Sequence, residues 1–211
     1  MSILVKILEE CVSKYEKYKR HAILNKLGHC GRNAIIEETK IHNPQNIYLY
    51  DDANILKGFI FINHKGRFFF HKGSSAARNL TVVTDSHIRA VGKFFKDKEL
   101  FYQFKDNISA DVIVEEEVWL GTNVTLLPGT KVSRGATIGA GSVIRGTIPP
   151  YAIVMGNPAK ITGFCFTPEE IIEHEKVLYS EEDRLPIELL EKNYEKFFLK
   201  RLKEIKDFTK L

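Results

Sequence analysis

The chain has 211 residues, enough for one main domain with additions at its ends. Its hydrophobic share of 44% and charged share of 27% are ordinary for a globular protein. The formal net charge of +4 is far from the clustered basicity of a nucleic-acid-binding protein, so nucleic acid is not expected as a partner.

No apolar run is long enough to span a membrane, and the N-terminus lacks the features of a secretory signal because charges interrupt its apolar stripe. The cysteines Cys11, Cys30 and Cys165 are scattered and odd in number. This usage argues against a disulfide framework and against a zinc cluster, and it suits a reducing cytoplasm. We therefore expect a cytoplasmic protein without a metal, in which all three cysteines are small core residues.

The N-terminal residues 3–26 predict one or two short helices. Ser2 is a candidate N-cap, and Gly28 is a candidate stop. Apolar side chains recur at intervals of three and four residues, the period of an amphipathic helix: Leu4, Ile7, Leu8, Cys11, Val12, Tyr15 and Tyr18. We treat residues 1–27 as an N-terminal helical segment.

The middle of the chain carries a six-residue repeat. Aliphatic residues stand at every sixth position: Ile108, Val114, Leu120, Leu126, Val132, Ile138 and Ile144. Mostly small or β-branched residues follow four positions after each of them: Val112, Val118, Val124, Thr130, Ala136, Ser142 and Ile148. A period of six fits neither a helix nor a long strand, but it fits a short strand followed by a turn. Three such units close one triangular coil, and stacked coils pair as parallel strands around a narrow aliphatic core.

The same frame is present earlier in the chain: Leu49, Ile55 and Phe61, then Phe70, Ala76 and Val82. Residues 64–69 break its phase, and residues 83–107 break it for longer. A loop of that length leaving a solenoid is typically functional or disordered, and we favour function. We therefore predict an all-β main domain, a parallel β-helix over residues 28–163 with an excursion loop at 83–107.

The helical pattern returns in a C-terminal extension over residues 164–211. Thr167, Pro168 and the acids Glu169 and Glu170 offer a cap, a proline at the first helical position and a favourable first turn. Pro186 opens another helix in the same way. An apolar stripe follows it: Leu189, Leu190, Tyr194, Phe197, Phe198, Leu202 and Ile205. We expect this stripe to pack on the main domain or on a neighbouring subunit.

The segment VWLGTNVTLLPGTKVSRGATIGAGSVIRGTIPPYAIVMGNPAK (residues 118–160) resembles the hexapeptide-repeat acyltransferases. It is most similar to their maltose/galactoside and capsular-polysaccharide O-acetyltransferase branch. The resemblance is strong over residues 108–163 and moderate over 31–87. It implies a left-handed parallel β-helix, a homotrimer with active sites between subunits, acetyl-CoA as co-substrate, and a histidine base at the root of the excursion loop.

His87 fits the position of that base, because it follows the end of the frame at Val82. A sugar hydroxyl is a poor nucleophile at neutral pH, and a positioned imidazole can take its proton as it attacks the thioester. The alternative is a surface histidine with no role. Asp85 is the second catalytic candidate: it could orient the imidazole, or equally cap the turn over residues 84–87. Many relatives have a histidine or an asparagine beside the base, so this departure leaves the register of His87 open.

Five residues match donor-binding positions of the family. Trp119 and Thr122 match positions that line the pantetheine arm, and Ala140 matches a residue whose backbone bonds the pantetheine amides. Arg145 lies where relatives place threonine or lysine near the CoA phosphates, and Lys160 matches a basic residue near the nucleotide end. Trp119 directly precedes an inward position, so its side chain should point out of the prism. Arg145 and Lys160 are equally compatible with plain surface charges.

The excursion loop is rich in aromatic residues: Phe94, Phe95, Phe101, Tyr102 and Phe104. Such side chains commonly stack on sugar faces or pack on a neighbouring subunit, so the loop is either an acceptor-side element or a subunit contact.

Taken with the resemblance, these residues predict an acetyl-CoA-dependent transfer of acetyl to a hydroxyl of a sugar or saccharide. The nearest alternative is an N-acetyltransferase acting on an amino sugar or a nucleotide-linked sugar with the same base. Serine acetyltransferases have a far longer N-terminal helical domain. A zinc hydratase of the γ-carbonic-anhydrase type needs three histidine ligands, and no histidine occurs from Asp111 to Gly163. A non-catalytic β-helix scaffold is a further alternative.

Overall fold

The structure is a computed structural model that describes residues 3–38, 40–87, 89–94, 96–99 and 109–209. Its centre is a prism of short strands that form three sheets, which we call faces A, B and C. Face A contains β1 (His29–Cys30), β3 (Ile47–Leu49), β6 (Phe68–Phe70), β9 (Val112–Val114), β12 (Lys131–Val132) and β15 (Thr147–Ile148). Face B contains β2 (Ile35–Ile36), β4 (Asn54–Ile55), β7 (Ser75–Ala76), β10 (Trp119–Leu120), β13 (Thr137–Ile138), β16 (Ala152–Gly156) and β17 (Ala159–Phe164). Face C contains β5 (Ile60–Ile62), β8 (Thr81–Val83), β11 (Thr125–Leu126) and β14 (Val143–Ile144).

The chain visits faces A, B and C in turn, and each round is one coil of the prism. Successive coils pair in parallel and in register, as in the stack of Leu49 on Phe70 and of Phe70 on Val114. Strand β17 departs from this pattern because it folds back antiparallel on β16. We name the three edges of the prism by the faces that meet there: AB, BC and CA.

The aliphatic repeat fills the core. All described residues at its sixth positions are fully buried: Val114, Leu120, Leu126, Val132, Ile138 and Ile144. The small residues four positions later are buried too, and so are the earlier frame residues from Leu49 to Val82. The prediction for Ile108 lies outside the described residues. A parallel β-helix with this inward frame is therefore confirmed.

The two breaks in the repeat lie at the same edge, CA, in successive coils. The first is the corner loop 64–67, between β5 and β6. The second separates β8 from β9. An isolated antiparallel bridge between Asp85 and Ser109 closes the root of this excursion.

The N-terminal pattern forms one helix, α1 (Ile3–Leu24), which ends before the predicted stop at Gly28. The residues around its C-terminal end, such as Leu24 and Leu27, pack on the core. Much of the predicted apolar stripe is exposed: Ile7, Leu8, Val12, Tyr15 and Tyr18. The candidate cap Ser2 lies outside the described residues.

The expectation that all three cysteines belong to the core is wrong for Cys11 and Cys30, which are exposed. Cys11 lies on the exposed stretch of α1, and Cys30 ends a first strand whose two side chains both face outward. Cys165 is partly buried, and its thiol contacts the Gly135 carbonyl at 3.6 Å.

The C-terminal extension contains three helices, α2 (Pro168–Leu178), α3 (Ile187–Phe197) and α4 (Leu202–Thr209). Thr167 and Glu170 form the predicted cap as a reciprocal capping box. The predicted stripe after Pro186 does not lie on one helix, because a single 310 turn over Leu199–Arg201 separates α3 from α4. This break turns α4 towards the β16–β17 hairpin. Within the described ranges, no helix is both long and apolar enough to cross a membrane.

Candidate active site

Three of the predicted donor-binding residues lie at or beside edge BC. Trp119 is on β10, and its side chain is 48% exposed, so it points out of the prism as predicted. Thr122 lies in the BC turn of the same coil, and Ala140 lies in the BC turn of the next coil. Adjacent coils stack at about 4.8 Å, so the three residues form a short line along this edge.

The two BC turns approach closely because Gly121 has no side chain. A Cβ on Gly121 would lie 2.7 Å from the Ala140 nitrogen. The Gly141 N–H donates to the Thr122 carbonyl at 2.9 Å, and the Thr122 hydroxyl donates to the Arg78 carbonyl at 2.9 Å. Within the described part of the chain, the backbone N–H and C=O of Ala140 take no hydrogen bond. Ala140 thus presents an exposed donor and acceptor to a ligand lying along the edge.

The β16–β17 hairpin extends edge BC by one more coil. The Gly156 N–H donates to the Ser142 hydroxyl at 3.0 Å, which fixes the end of β16 to the turn of the coil below. A cis peptide bond joins Asn157 to Pro158 at the tip of the hairpin. Lys160 follows on β17, where it pairs with Met155. The structure therefore adds Lys160 to the same line as Trp119, Thr122 and Ala140.

Helix α4 lies against this end of the edge. Lys160 Nζ is 3.5 Å from Glu204 Oε1 and 5.2 Å from the centre of the Phe208 ring. Arg201 donates to both oxygens of the same carboxylate, each at 3.0 Å. Arg201, Glu204 and Phe208 were not predicted from the sequence, because no local pattern links them to a lysine more than 40 positions earlier.

Edge CA carries the other predicted group. The Asp85 carboxylate accepts from the backbone N–H of His64 at 2.5 Å and of Lys65 at 3.4 Å. It also accepts from the hydroxyl of Thr84 at 2.7 Å and from that of Ser109. Four donors thus surround one carboxylate, which ties the corner loop 64–67 to both ends of the excursion. These contacts favour the turn-forming interpretation of Asp85.

Partial burial alone would raise the pKa of the Asp85 carboxyl, but the hydrogen bonds from Ser109, Thr84 and the two backbone N–H groups hold it below its usual range. Asp85 is therefore charged at neutral pH and accepts all four bonds in that form.

His87 follows two residues after this carboxylate and is exposed. Arg145 is also exposed at edge CA, where the chain leaves β14. It stands two coils beyond Asp85, about 10 Å along the prism axis. Among the loop aromatics, Phe94 is 90% exposed. Phe95, Phe101, Tyr102 and Phe104 lie outside the described residues.

The predicted site residues thus fall into two groups. Trp119, Thr122, Ala140 and Lys160 follow edge BC, whereas Asp85, His87 and Arg145 lie at edge CA. The two edges bound face C on opposite sides, so one chain does not bring its two groups together on a single edge.

Helix α2 packs against the later coils at the third edge, AB. Glu175 on α2 is fully buried and accepts from the Tyr151 hydroxyl at 3.0 Å and from the Leu185 N–H at 2.6 Å. Arg134 Nη1 lies 3.4 Å from the same carboxylate, and its guanidinium stacks 3.9 Å above the Tyr179 ring. In the residues that the structure describes, no group of three or more His, Cys, Asp or Glu side chains is arranged to hold a metal ion.

The fold and the repeat define a class of proteins. Residues 111–146 match the family model described as "Bacterial transferase hexapeptide (six repeats)". This match supports the predicted resemblance to the hexapeptide-repeat acetyltransferases, and the predicted left-handed parallel β-helix with helical ends is confirmed.

Particular relatives match part of the chain. The putative lipopolysaccharide biosynthesis O-acetyl transferase WbbJ of Escherichia coli (strain K12) is 51% identical over 53 residues, which are 25% of this chain and 27% of that protein. A chloramphenicol acetyltransferase of Klebsiella aerogenes is 41% identical over 63 residues, or 30% of each protein. The matched segment therefore spans about a quarter to a third of these relatives.

Solved structures share the fold over a larger part of the chain. The hexapeptide-repeat acetyltransferase VCA0836 of Vibrio cholerae O1 biovar eltor, complexed with acetyl coenzyme A, superposes with a TM-score of 0.60 at 20% identity. The superposition covers 71% of this chain and 78% of that one. A maltose O-acetyltransferase from Clostridium difficile 630 has a TM-score of 0.56 at 21% identity, covering 76% and 87%.

Proposed function

We propose that this protein is an acetyl-CoA-dependent O-acetyltransferase that acts on a hydroxyl of a sugar or saccharide. The observation that carries the proposal is the line of Trp119, Thr122, Ala140 and Lys160 along edge BC. Four residues that match donor-binding positions of the family, spread over more than 40 positions of sequence, lie along one side of the prism.

The chemistry of this edge suits an extended, amide-containing donor with phosphates at one end. Ala140 offers an unpaired backbone donor and acceptor to the pantetheine amides. The exposed Trp119 offers a flat apolar surface to the part of the pantetheine arm between its amides. Lys160 and the neighbouring Arg201 supply cations where the phosphates would lie.

In this proposal, His87 is the general base. Its imidazole accepts the proton of the acceptor hydroxyl as the hydroxyl oxygen attacks the thioester carbonyl carbon. The carbon–sulfur bond then breaks, and the imidazolium returns the proton to the departing thiolate, so charge and atoms balance. The hydrogen bonds to the Asp85 carboxylate support this role, because they fix the start of the loop that carries His87.

The separation of the two edges supports an active site between subunits. Edge BC of one chain offers the donor residues, and edge CA offers His87. In a homotrimer with closed symmetry, edge BC of each chain can face edge CA of the next. The two groups of residues then meet at three equivalent sites.

The acceptor class draws on WbbJ, whose name describes an O-acetyl transferase of lipopolysaccharide biosynthesis and whose segment is 51% identical to this chain. The maltose O-acetyltransferase shares the fold. Both support a saccharide hydroxyl, and we expect the exposed excursion loop around Phe94 to contact the sugar.

The test is the release of free CoA thiol from acetyl-CoA across a panel of monosaccharides, disaccharides, amino sugars and nucleotide sugars. We expect release with a monosaccharide or disaccharide that has no amine, and an acetyl ester in the product by mass spectrometry. Transfer to an amine would replace the O-acetyltransferase assignment with the N-acetyltransferase alternative. No release with any acceptor, together with no binding of CoA, would favour a scaffold.

A further inference from the structure

The contact between helix α4 and the β16–β17 hairpin has an unusual composition. A single carboxylate, that of Glu204, lies between two cations from different elements. Arg201 Nε and Nη2 donate to its two oxygens at 3.0 Å each, and Lys160 Nζ is 3.5 Å from Oε1. The bonds from Arg201 are the main reason that the pKa of Glu204 is held below its usual range, so the group is charged at neutral pH.

The Phe208 ring and the backbone of Gly156 complete the surroundings of the Glu204 carboxylate. A Cβ on Gly156 would lie 3.2 Å from Phe208 Cζ, so the ring of Phe208 rests on the hairpin where it has no side chain. Gly156 has a φ of +98°, a conformation that favours glycine. Helix α4 is held here through Ile205, its one buried residue. The contact lies at the end of the line formed by Thr122 and Ala140.

We propose that the Glu204 carboxylate occupies the cation pair of Lys160 and Arg201 until a phosphate group of coenzyme A displaces it. The inference rests on the proposed function, because it names the donor of that reaction as the ligand. It adds the displaced Glu204 to the donor site, a residue that lies outside the sequence motifs of the β-helix.

The exchange of the Glu204 carboxylate for a phosphate is chemically balanced. A guanidinium fork binds two oxygens of a carboxylate or of a phosphate with the same geometry. Glu204 and Lys160 are about half exposed, so breaking their pair exposes no buried charge. A phosphate carries more charge than a carboxylate and therefore competes effectively for the two cations. The released Glu204 remains in solvent.

The experiment follows binding through the fluorescence of Trp119, the single tryptophan of the chain, which lies on the same edge. Glu204→Gln removes the competing charge and keeps the shape of the side chain. We expect this variant to bind CoA about two- to fivefold more tightly than the wild type, the range that corresponds to an exposed ion pair. Pantetheine, which has no phosphate, should bind both proteins equally. Dephospho-CoA separates the 3′-phosphate from the diphosphate as the group that displaces Glu204.

Two further variants complete the design. Glu195→Gln is the matched control, because Glu195 forms an exposed pair with Lys200 in the same extension, with 2.8 Å between the charged atoms. It should bind CoA like the wild type. Adding Arg201→Ala to Glu204→Gln should cancel the gain in CoA affinity.

The possible failures are distinguishable. If the wild type and Glu204→Gln bind CoA with equal affinity, the inference is overturned and the donor assignment stands. A tighter binding of pantetheine by Glu204→Gln would also overturn it, because the effect would not involve phosphate. If neither protein binds CoA or pantetheine, the proposed donor fails and the inference fails with it.

Discussion

The backbone N–H of His64 donates to the Asp85 carboxylate at 2.5 Å, a bond that joins the corner loop of one coil to the excursion of the next. The six-residue repeat is interrupted at edge CA in both coils. Hydrogen bonds to the Asp85 carboxylate link the two interruptions. His87 lies two residues after Asp85, at the start of the excursion loop. The position of the proposed base therefore depends on a hydrogen-bonded turn.

Substitutions of Asp85 separate its two candidate roles. Asp85→Ala leaves four donors without their acceptor, and we expect a loss of about 1–3 kcal/mol in the free energy of unfolding together with reduced turnover. Asp85→Asn keeps an acceptor oxygen, so turnover should recover in part if Asp85 acts through the turn. Thermal unfolding and thiol release measure the two effects. Equal loss of turnover in both variants, with equal pH–rate profiles, would instead indicate that the charge of Asp85 orients His87.

The proposed base is tested by His87→Ala. Removing a general base costs about 10²- to 10⁴-fold in turnover, because proton removal from the hydroxyl is no longer assisted. The affinity for CoA should stay nearly unchanged, since the donor residues lie on another edge. Thiol release and Trp119 fluorescence measure turnover and affinity separately. The exposed His42 supplies the control variant His42→Ala, which should be fully active. A His87→Ala protein that turns over at the wild-type rate contradicts the mechanism.

An active site between subunits predicts complementation. In the proposed homotrimer, the His87→Ala protein lacks the proposed base, and the Trp119→Ala protein has a weakened proposed donor edge. If edges BC and CA of different chains meet, mixed trimers contain some sites with an intact base and an intact donor edge. Co-expression with two affinity tags, followed by tandem purification, should therefore yield hybrids more active than either parent. Hybrids no more active than the two parents would place the whole site within one chain.

The core of this protein was predictable because its signal is strictly periodic. A period of six specifies which residue points inward in every coil, and all described sixth-position residues from Val114 to Ile144 are buried. The outward position of Trp119 follows from the same frame. The capping box of Thr167 and Glu170 is likewise a local pattern that survives in the structure.

The contacts between the helices and the prism were not predictable, because they join residues that share no local pattern. Lys160 meets Glu204, and Arg134 meets Glu175, in both cases across about 40 residues. The stripe after Pro186 reads as one amphipathic run, but α3 ends at Phe197 and a 310 turn over Leu199–Arg201 separates it from α4. The exposure of Cys11 was missed for a related reason: periodicity identifies an apolar face but does not show whether anything covers it.

The close approach of the BC turns predicts a specific effect of Gly121→Ala. The new methyl group would lie 2.7 Å from the Ala140 nitrogen and 3.0 Å from the Ile138 carbonyl oxygen, so the two coils must move apart. Overpacking of this kind costs about 1–3 kcal/mol, and it should also weaken CoA binding by displacing Ala140. Calorimetry and Trp119 fluorescence measure the two losses. Gly73→Ala is the control: its Cβ meets no atom within 4 Å, so only the cost of its positive φ remains and CoA affinity should not change.

The buried contact between Tyr151 and Glu175 predicts a dependence of stability on alkaline pH. Burial, and then the charge of Glu175, raise the pKa of the Tyr151 hydroxyl above its usual range, since the ionised phenol would face a carboxylate. The unfolded chain therefore loses this proton first, and the stability contributed by Tyr151 is present below about pH 10 and is lost as the pH rises above it. Thermal unfolding of the wild type and of Tyr151→Phe should differ most at neutral pH, and the difference should shrink above pH 10. Tyr15→Phe, on the exposed face of α1, should show no such change. A difference that stays constant through pH 11 would mean that the tyrosine proton is not linked to the docking of the C-terminal helices.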